Sequence, residues 1–396
     1  MQVLDRRKAL AITPLLRLGF RPFFLGGCLF ALLAVPLWLA AYSGWLGEWQ
    51  PAGGWLAWHR HELLFGFALA IIAGFLLSAV QTWTGQPGLQ GRPLTLLALL
   101  WLAARAAWMS DLPLPVLAVL ELAFPLAVAA VMGRALWQAR QKRNYPIVAV
   151  LLLLTAADAV AVFGLASAND VLQRQGVLAG VWLVAAMMGL IGGRVIPFFT
   201  QRGLGRVEGV KPWPWLDLLL LLGSALVAIL YAAGIALQAN AWVGLLFMLL
   251  AAGHLLRLVR WYDPGMWRVP LLWSLHLAYA WLGLACLGMA LWHLGLLSNP
   301  SQPLHALTVG SIGGLILAMV ARVSLGHTGR PLAPPAGMTL AFILVQLASL
   351  FRVGLIEIWP FWGLWLAAAC WSLAFVLFAW SYGPMLCSAR VDGHPG

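Results

Sequence analysis

Residues 58–85 read W-H-R-H-E-L-L-F-G-F-A-L-A-I-I-A-G-F-L-L-S-A-V-Q-T-W-T-G. His59, His61 and Glu62 stand at the mouth of about twenty apolar residues, enough for a helix to cross a hydrocarbon core of ~30 Å. Imidazole and carboxylate are costly near lipid. At such a position they pair, bind metal, line a pathway or stay solvated at the headgroup level. The stretch reads as a membrane span with chemistry at one end.

Composition extends that reading to the whole chain. Of its 396 residues, 63% are hydrophobic and 9% are charged, where a soluble domain carries about 25% charged. Mean hydropathy is +0.90. The fold class is therefore all-α: a polytopic integral membrane protein, forming a single membrane domain over 1–396 with the lipid bilayer as its surroundings. The net charge of +12 does not point to nucleic acid, because the basic residues lie in short loops between apolar segments. Cys28, Cys286, Cys370 and Cys387 form no C-x-x-C and are expected as buried thiols. Arg6, Arg7 and Lys8 read as a basic flank, without a removable signal peptide. There is no G-x-x-x-x-G-K-[ST], no H-E-x-x-H and no C-x-x-C-H. That excludes a nucleotide-driven pump, a zincin site and covalently attached haem.

Twelve spans are expected, at about 16–42, 59–83, 93–110, 113–138, 145–166, 171–198, 213–236, 240–260, 268–296, 303–323, 336–356 and 359–385, separated by Pro- and Gly-rich breakers. With the N-terminus inside, 20 of the 24 Lys and Arg fall on the inner side, leaving Arg60, Arg105, Arg174 and Arg352 outside. This asymmetry places both termini in the cytoplasm.

The polar residues then take approximate depths. His59, His61 and His305 lie at outer span mouths. His276 lies within span 9, buried among W-S-L-H-L-A-Y-A-W, and His327 lies in an inner loop. A histidine on each of two spans can clamp one haem iron. His59 and His61 sit about 200° apart on a regular helix, so only one faces the bundle. His61 continues through Phe65 and Ala68 at core spacing, whereas His59 shares a face with Glu62. The expected iron ligands are thus His61 and His305, with Glu62 orienting His59. His276 and His327 form a separate metal site, for copper or a second haem. The alternatives are a wetted helix start for His305, a carbonyl-bonded neutral imidazole for His276 and an ordinary turn for His327. Glu121 and Asp158, at similar depth, must pair or be neutral. Arg105 is a natural partner for Glu121. A proton route from Glu62 through Glu121 and Asp158 is the functional alternative. Arg60, Arg105 and Arg352 suit haem propionates, unless carboxylates such as Glu357 take them.

Seven stretches together carry a resemblance: L-G-F-R-P-F-F (18–24), W-H-R-H-E-L-L-F-G-F (58–67), A-G-F-L-L-S-A-V-Q-T-W-T-G (73–85), G-R-V-I-P-F-F-T (193–200), L-L-W-S-L-H-L-A-Y-A-W (271–281), L-H-A-L-T-V-G-S-I-G (304–313) and R-V-S-L-G-H-T-G-R (322–330). On them the chain resembles the NnrS family of haem- and copper-containing bacterial membrane proteins that handle nitric oxide. The resemblance lands on His59, His61, Glu62, Arg194, His276, His305 and His327. It implies a bacterial inner-membrane protein with haem b and copper, linked to denitrification and nitrosative stress, with nitric oxide or another diatomic as ligand. The resemblance does not decide the activity, and three functions stand as expectations: nitric oxide reduction at haem, non-enzymatic binding of nitric oxide or protection of metal centres, and, as the weakest, solute transport. The electron donor does not follow from it. Twelve spans with outer histidines also resemble haem–copper oxidases, at fold level only. Those enzymes carry H-x-H on span 10 and adjacent histidines on span 7, whereas here H-x-H is on span 2 and span 7 has none.

Overall fold

The computed structural model describes residues 10–394, so the Arg6–Arg7–Lys8 flank lies outside the described residues. Among them there is no strand. Twelve long helices follow in order. They are α1 (Phe20–Tyr42), α2 (Trp55–Thr84), α3 (Arg92–Trp108), α4 (Leu114–Gln138), α5 (Tyr145–Ala166), α6 (Asp170–Gly203), α7 (Pro214–Ala232), α8 (Ala241–Trp261), α9 (Pro270–His293), α10 (Ser301–His327), α11 (Ala336–Ile358) and α12 (Pro360–Cys387). Eleven are long and apolar enough to cross a membrane, which marks a multi-pass membrane protein. The other is α3, at 17 residues and so roughly 25 Å long.

The breakers act where their chemistry places them. Gly85 closes α2 in the left-handed region at φ 69°, a conformation that costs glycine little. The Asn240 side chain accepts from Trp242 N and Val243 N to cap α8. Pro36, Pro125, Pro197 and Pro384 fall inside helices, where neighbouring side chains and local adjustments take up the freed carbonyls.

Three segments depart from α geometry. Residues Glu62–Ala68 of α2, Ala306–Gly313 of α10 and Phe351–Leu355 of α11 are π-helical. The first two begin immediately after His61 and His305, in the same short pattern H-x-L-x-x-G. In each, the glycine meets a tryptophan. Gly66 O accepts from Trp101 Nε1 at 2.8 Å, and Trp281 packs where a Gly310 side chain would lie. Wide turns of this kind are rare and occur often at functional sites. His61, Phe65 and Ala68 are all buried, and the His61 ring meets Phe65, so the expected core face is kept although the π turn widens its spacing. His327 is corrected. It is the last residue of α10 rather than a loop residue, because Thr328 Oγ1 donates back to Ser324 O at 2.7 Å.

The chain divides into two compact units. One holds residues up to Val177 with Val320–Gly337 and the chain from Phe375 on; the other holds Leu178–Met319 and Met338–Ala374. In the first, α2 packs on α1 and α4, and α4 packs on α3 and α5. The start of α6 meets α5 at glycine contacts. A side chain at Gly176 would strike the backbone of Ala157 and Ala161, and one at Gly164 the backbone of Gln173. Ala157 and Ala161 flank Asp158, so this close approach fixes where Asp158 points. Gly176→Val is expected to destabilise by more than about 3 kcal/mol, since only backbone is there to yield. A thermal midpoint within 1–2 °C of wild type, about the size of an ordinary surface change, would show that α5 and α6 separate freely.

Candidate functional site

The first unit buries a cluster of charged side chains where α2, α3, α4 and α5 meet. His61 closes the opening α-helical stretch of α2, and Glu62 starts its π turn. His61 is fully buried, while His59 is half-buried and stacks on Trp38 with ring centroids 4.6 Å apart. His61 Nε2 lies 2.7 Å from Asp158 Oδ1 on α5, and its Nδ1 lies 3.1 Å from Glu62 Oε1. Glu62 Oε2 lies 2.6 Å from Arg105 Nε on α3. Arg105 Nη2 also donates to Glu121 Oε2 on α4, and Trp108 Nε1 donates to the same oxygen at 3.1 Å. The His61 ring rests against Trp108 and Phe65, at 4.4 and 4.9 Å between centroids. Trp55, Trp58, Trp108, Ala107, Leu117 and Val162 form a buried apolar group on α2 to α5 beside the cluster. Gly66 leaves room for the ion pair: a side chain there would crowd Glu62 and Arg105 Cδ.

Electrostatics sets what this cluster can be. Glu62, Glu121 and Asp158 oppose one guanidinium, and all are buried. Isolated charges at this depth are prohibitive. One imidazole facing two carboxylates needs a proton beyond that of a neutral ring. Either the ring carries both protons or one carboxyl is protonated. Asp158 Oδ2 has no hydrogen-bond partner, so this acid has spare capacity for a proton or a cation. His61, Glu121 and Asp158 each offer a ligand atom within 4.8 Å of the others, close enough to hold a metal ion.

A family model described as NnrS protein matches residues 14–390. The chain belongs to the NnrS family. Membership points to a function connected with nitric oxide and to haem or metal binding. No curated protein matches this NnrS chain.

The remaining expected residues of the NnrS protein fall elsewhere. Glu62, expected to orient His59, pairs with His61 and Arg105 instead, while His59 stacks on Trp38. Arg105, expected at a propionate, is held between Glu62 and Glu121, which lie at its own depth. Arg60 pairs with Asp170 at 2.6 Å. His327 packs against Phe20 in a tilted arrangement, 5.4 Å between centroids. In the second unit, the His305 ring donates from Nδ1 to Ser301 O at 2.7 Å, and Arg352 donates to Ser301 Oγ at 3.3 Å. His276 donates from Nδ1 to Leu272 O at 2.9 Å. Its Nε2 is buried and makes no hydrogen bond of ordinary geometry, with the Trp261 backbone beside the ring. An imidazole bound through Nδ1 to a backbone carbonyl presents Nε2 to a metal. Neither ring nitrogen of His61 is presented in that way.

Two partners escaped the sequence reading. Trp108 reads as an interfacial aromatic, yet it caps Glu121. Tyr279 accepts or donates at His254 Nδ1 (2.8 Å) and accepts from Arg257 Nη1 (3.0 Å), while Arg257 also pairs with Asp217. The i,i+3 spacing of His254 and Arg257 on α8 was the available signal.

Proposed function

We propose that this NnrS protein acts on nitric oxide at a bound haem b, and that Glu62, His61 and Asp158 carry protons for that reaction. The observation that supports it is one buried imidazole held between two carboxylates, a group that must carry an exchangeable proton. His276, with Nδ1 tied to Leu272 O and Nε2 without a hydrogen bond of ordinary geometry, would be one residue to hold the haem iron, and the carbonyl-tied His305 is the second candidate. His61 suits iron less well, because Glu62 and Asp158 engage both of its ring nitrogens. Copper(I), which prefers thiolate, thioether and imidazole, is poorly matched by the carboxylates of the cluster. A bound haem supplies the iron that coordinates a diatomic ligand and exchanges electrons.

The protein's own part is the proton. Converting two nitric oxide molecules to nitrous oxide and water consumes two protons and two electrons. Glu62 passes a proton to His61 Nδ1 as Nε2–H yields one to Asp158. The sequence route through Glu121 changes accordingly, with Glu121 anchored by Arg105 and Trp108. Glu62→Gln keeps the shape and removes the acid. Nitric oxide consumption under anaerobic conditions with an electron donor is expected to fall about 10²-fold, with the absorption spectrum intact. Unchanged consumption would remove the proton role. A wild-type protein that binds nitric oxide but never consumes it would leave the binding function instead.

A second reading rests on the 4.8 Å spacing of His61, Glu121 and Asp158. Three carboxylates, one guanidinium and a neutral imidazole are balanced by one divalent cation. Metal analysis separates the two readings. A stoichiometric metal lost in Asp158→Asn supports the cation, and none in wild type supports the proton.

We also propose that the protein lies in the bacterial inner membrane with both termini cytoplasmic. Cysteines introduced singly at Glu48, Lys142 and Arg206 are expected to react with an outside-only reagent at position 48 alone. Labelling at 142 would reverse the orientation.

A further inference from the structure

Two of the stretches that carry the family resemblance meet at a second place in the first unit. L-G-F-R-P-F-F brings Arg21, and R-V-S-L-G-H-T-G-R brings His327 and Arg330. Arg21 is fully buried in the first turn of α1. Its Nη1 donates to Leu386 O at 2.8 Å and Ser388 O at 2.6 Å, fastening the end of α12. The chain then turns back. Val391 N donates to Thr328 O at 3.2 Å, and Arg390 Nη1 donates to His327 O at 2.9 Å. Arg17, Arg390 and Arg330 all bear electrostatically on Arg21.

Among the described residues, the donors here exceed the acceptors. Arg21 Nε and Nη2, Arg17 Nη1 and Arg330 Nη1 are buried and make no hydrogen bond. Arg17 spends its other donors on Ile12 O and Leu10 O. The neighbouring carboxylate, Asp392, is engaged by Arg390 through both oxygens, at 2.9 and 2.5 Å. Arg390 holds that carboxyl below the usual range, so it stays charged and committed. Four guanidinium groups thus crowd one place, with orphaned N–H groups on three of them. A buried donor left unmade costs about 1–3 kcal/mol, more when charged. Guanidinium is also the group that matches planar or tetrahedral oxyanions.

We propose that Arg17, Arg21, Arg330 and Arg390 form an anion-binding site that takes a carboxylate or phosphate group of a ligand. The site is independent of the His61 cluster. The Phe20 ring, with His327 tilted against it and the Arg21 guanidinium 5.6 Å from its centroid, gives it an apolar wall. Two sources share this chemistry: the carboxylates of a porphyrin, and a free oxyanion such as inorganic phosphate.

The test uses the full-length protein in detergent, as wild type, R330Q and R21Q. Two quantities are read for each: the thermal midpoint in phosphate against chloride at matched ionic strength, and the haem-to-protein ratio. A free oxyanion raises the wild-type midpoint by at least about 2 °C and leaves R330Q unmoved. A porphyrin carboxylate shows no phosphate effect, but R330Q and R21Q retain several-fold less haem. R330Q carries the test, because Arg330 Nη1 makes no hydrogen bond whose loss would unfold the chain. If R330Q matches wild type in both readouts, the site does not exist.

Discussion

Arg105→Leu is expected to destabilise the protein by about 3–5 kcal/mol, the usual result of removing one partner from a buried ion pair. The guanidinium separates Glu62 from Glu121. Without it two carboxylates confront each other in an apolar interior, and Trp108 alone remains to satisfy Glu121. The variant should accumulate poorly and unfold well below the wild-type midpoint. Adding Glu121→Gln should recover part of the loss, because it removes the charge left uncompensated. A double variant no more stable than Arg105→Leu would mean that the two residues do not interact energetically. Haem lost by Arg105→Leu would then follow from unfolding rather than from a propionate contact.

His276→Ala is expected to lower retained haem by at least about 10–100-fold, since even the loss of a hydrogen bond to a metal ligand has an effect of that size. His61→Gln should keep the Soret band and lose nitric oxide consumption. The two histidines are thus expected to separate cleanly, because one leaves Nε2 without a hydrogen bond of ordinary geometry and the other shares both nitrogens with carboxylates. The opposite pattern, haem kept in His276→Ala and lost in His61→Gln, would place the iron at the acid cluster.

The spans were legible because lipid imposes a simple demand: twenty or so apolar residues between polar breakers. The helices begin and end within a few residues of the expected limits, and α6 extends furthest beyond its own, to Gly203. The Arg105–Glu121 pair was legible from matched depth. His61 with Asp158 was not, although both were singled out. They are 97 residues apart, and their contact depends on how α2 and α5 are rotated. Depth along a span is written in hydropathy, but rotation is set by close contacts such as that of Gly176 against Ala157 and Ala161. The anion site was hidden for another reason. Its arginines were counted as orientation signals, and nothing in a charge count reveals that some of them are buried.

The wide turn after His61 also fixes how this helix can be compared and engineered. One residue removed from 62–68 would restore α geometry, turning the upper segment by about 100° and drawing it in by about 1.5 Å relative to the lower one. His61 would leave Asp158, while the contacts of Leu69–Thr84 stayed in place. The extra residue therefore works as an angular offset between two halves of a single rod. Sequences that lack it, aligned without a gap, would put the wrong side chain opposite Asp158. The same arithmetic applies after His305, where a second rod carries the same offset.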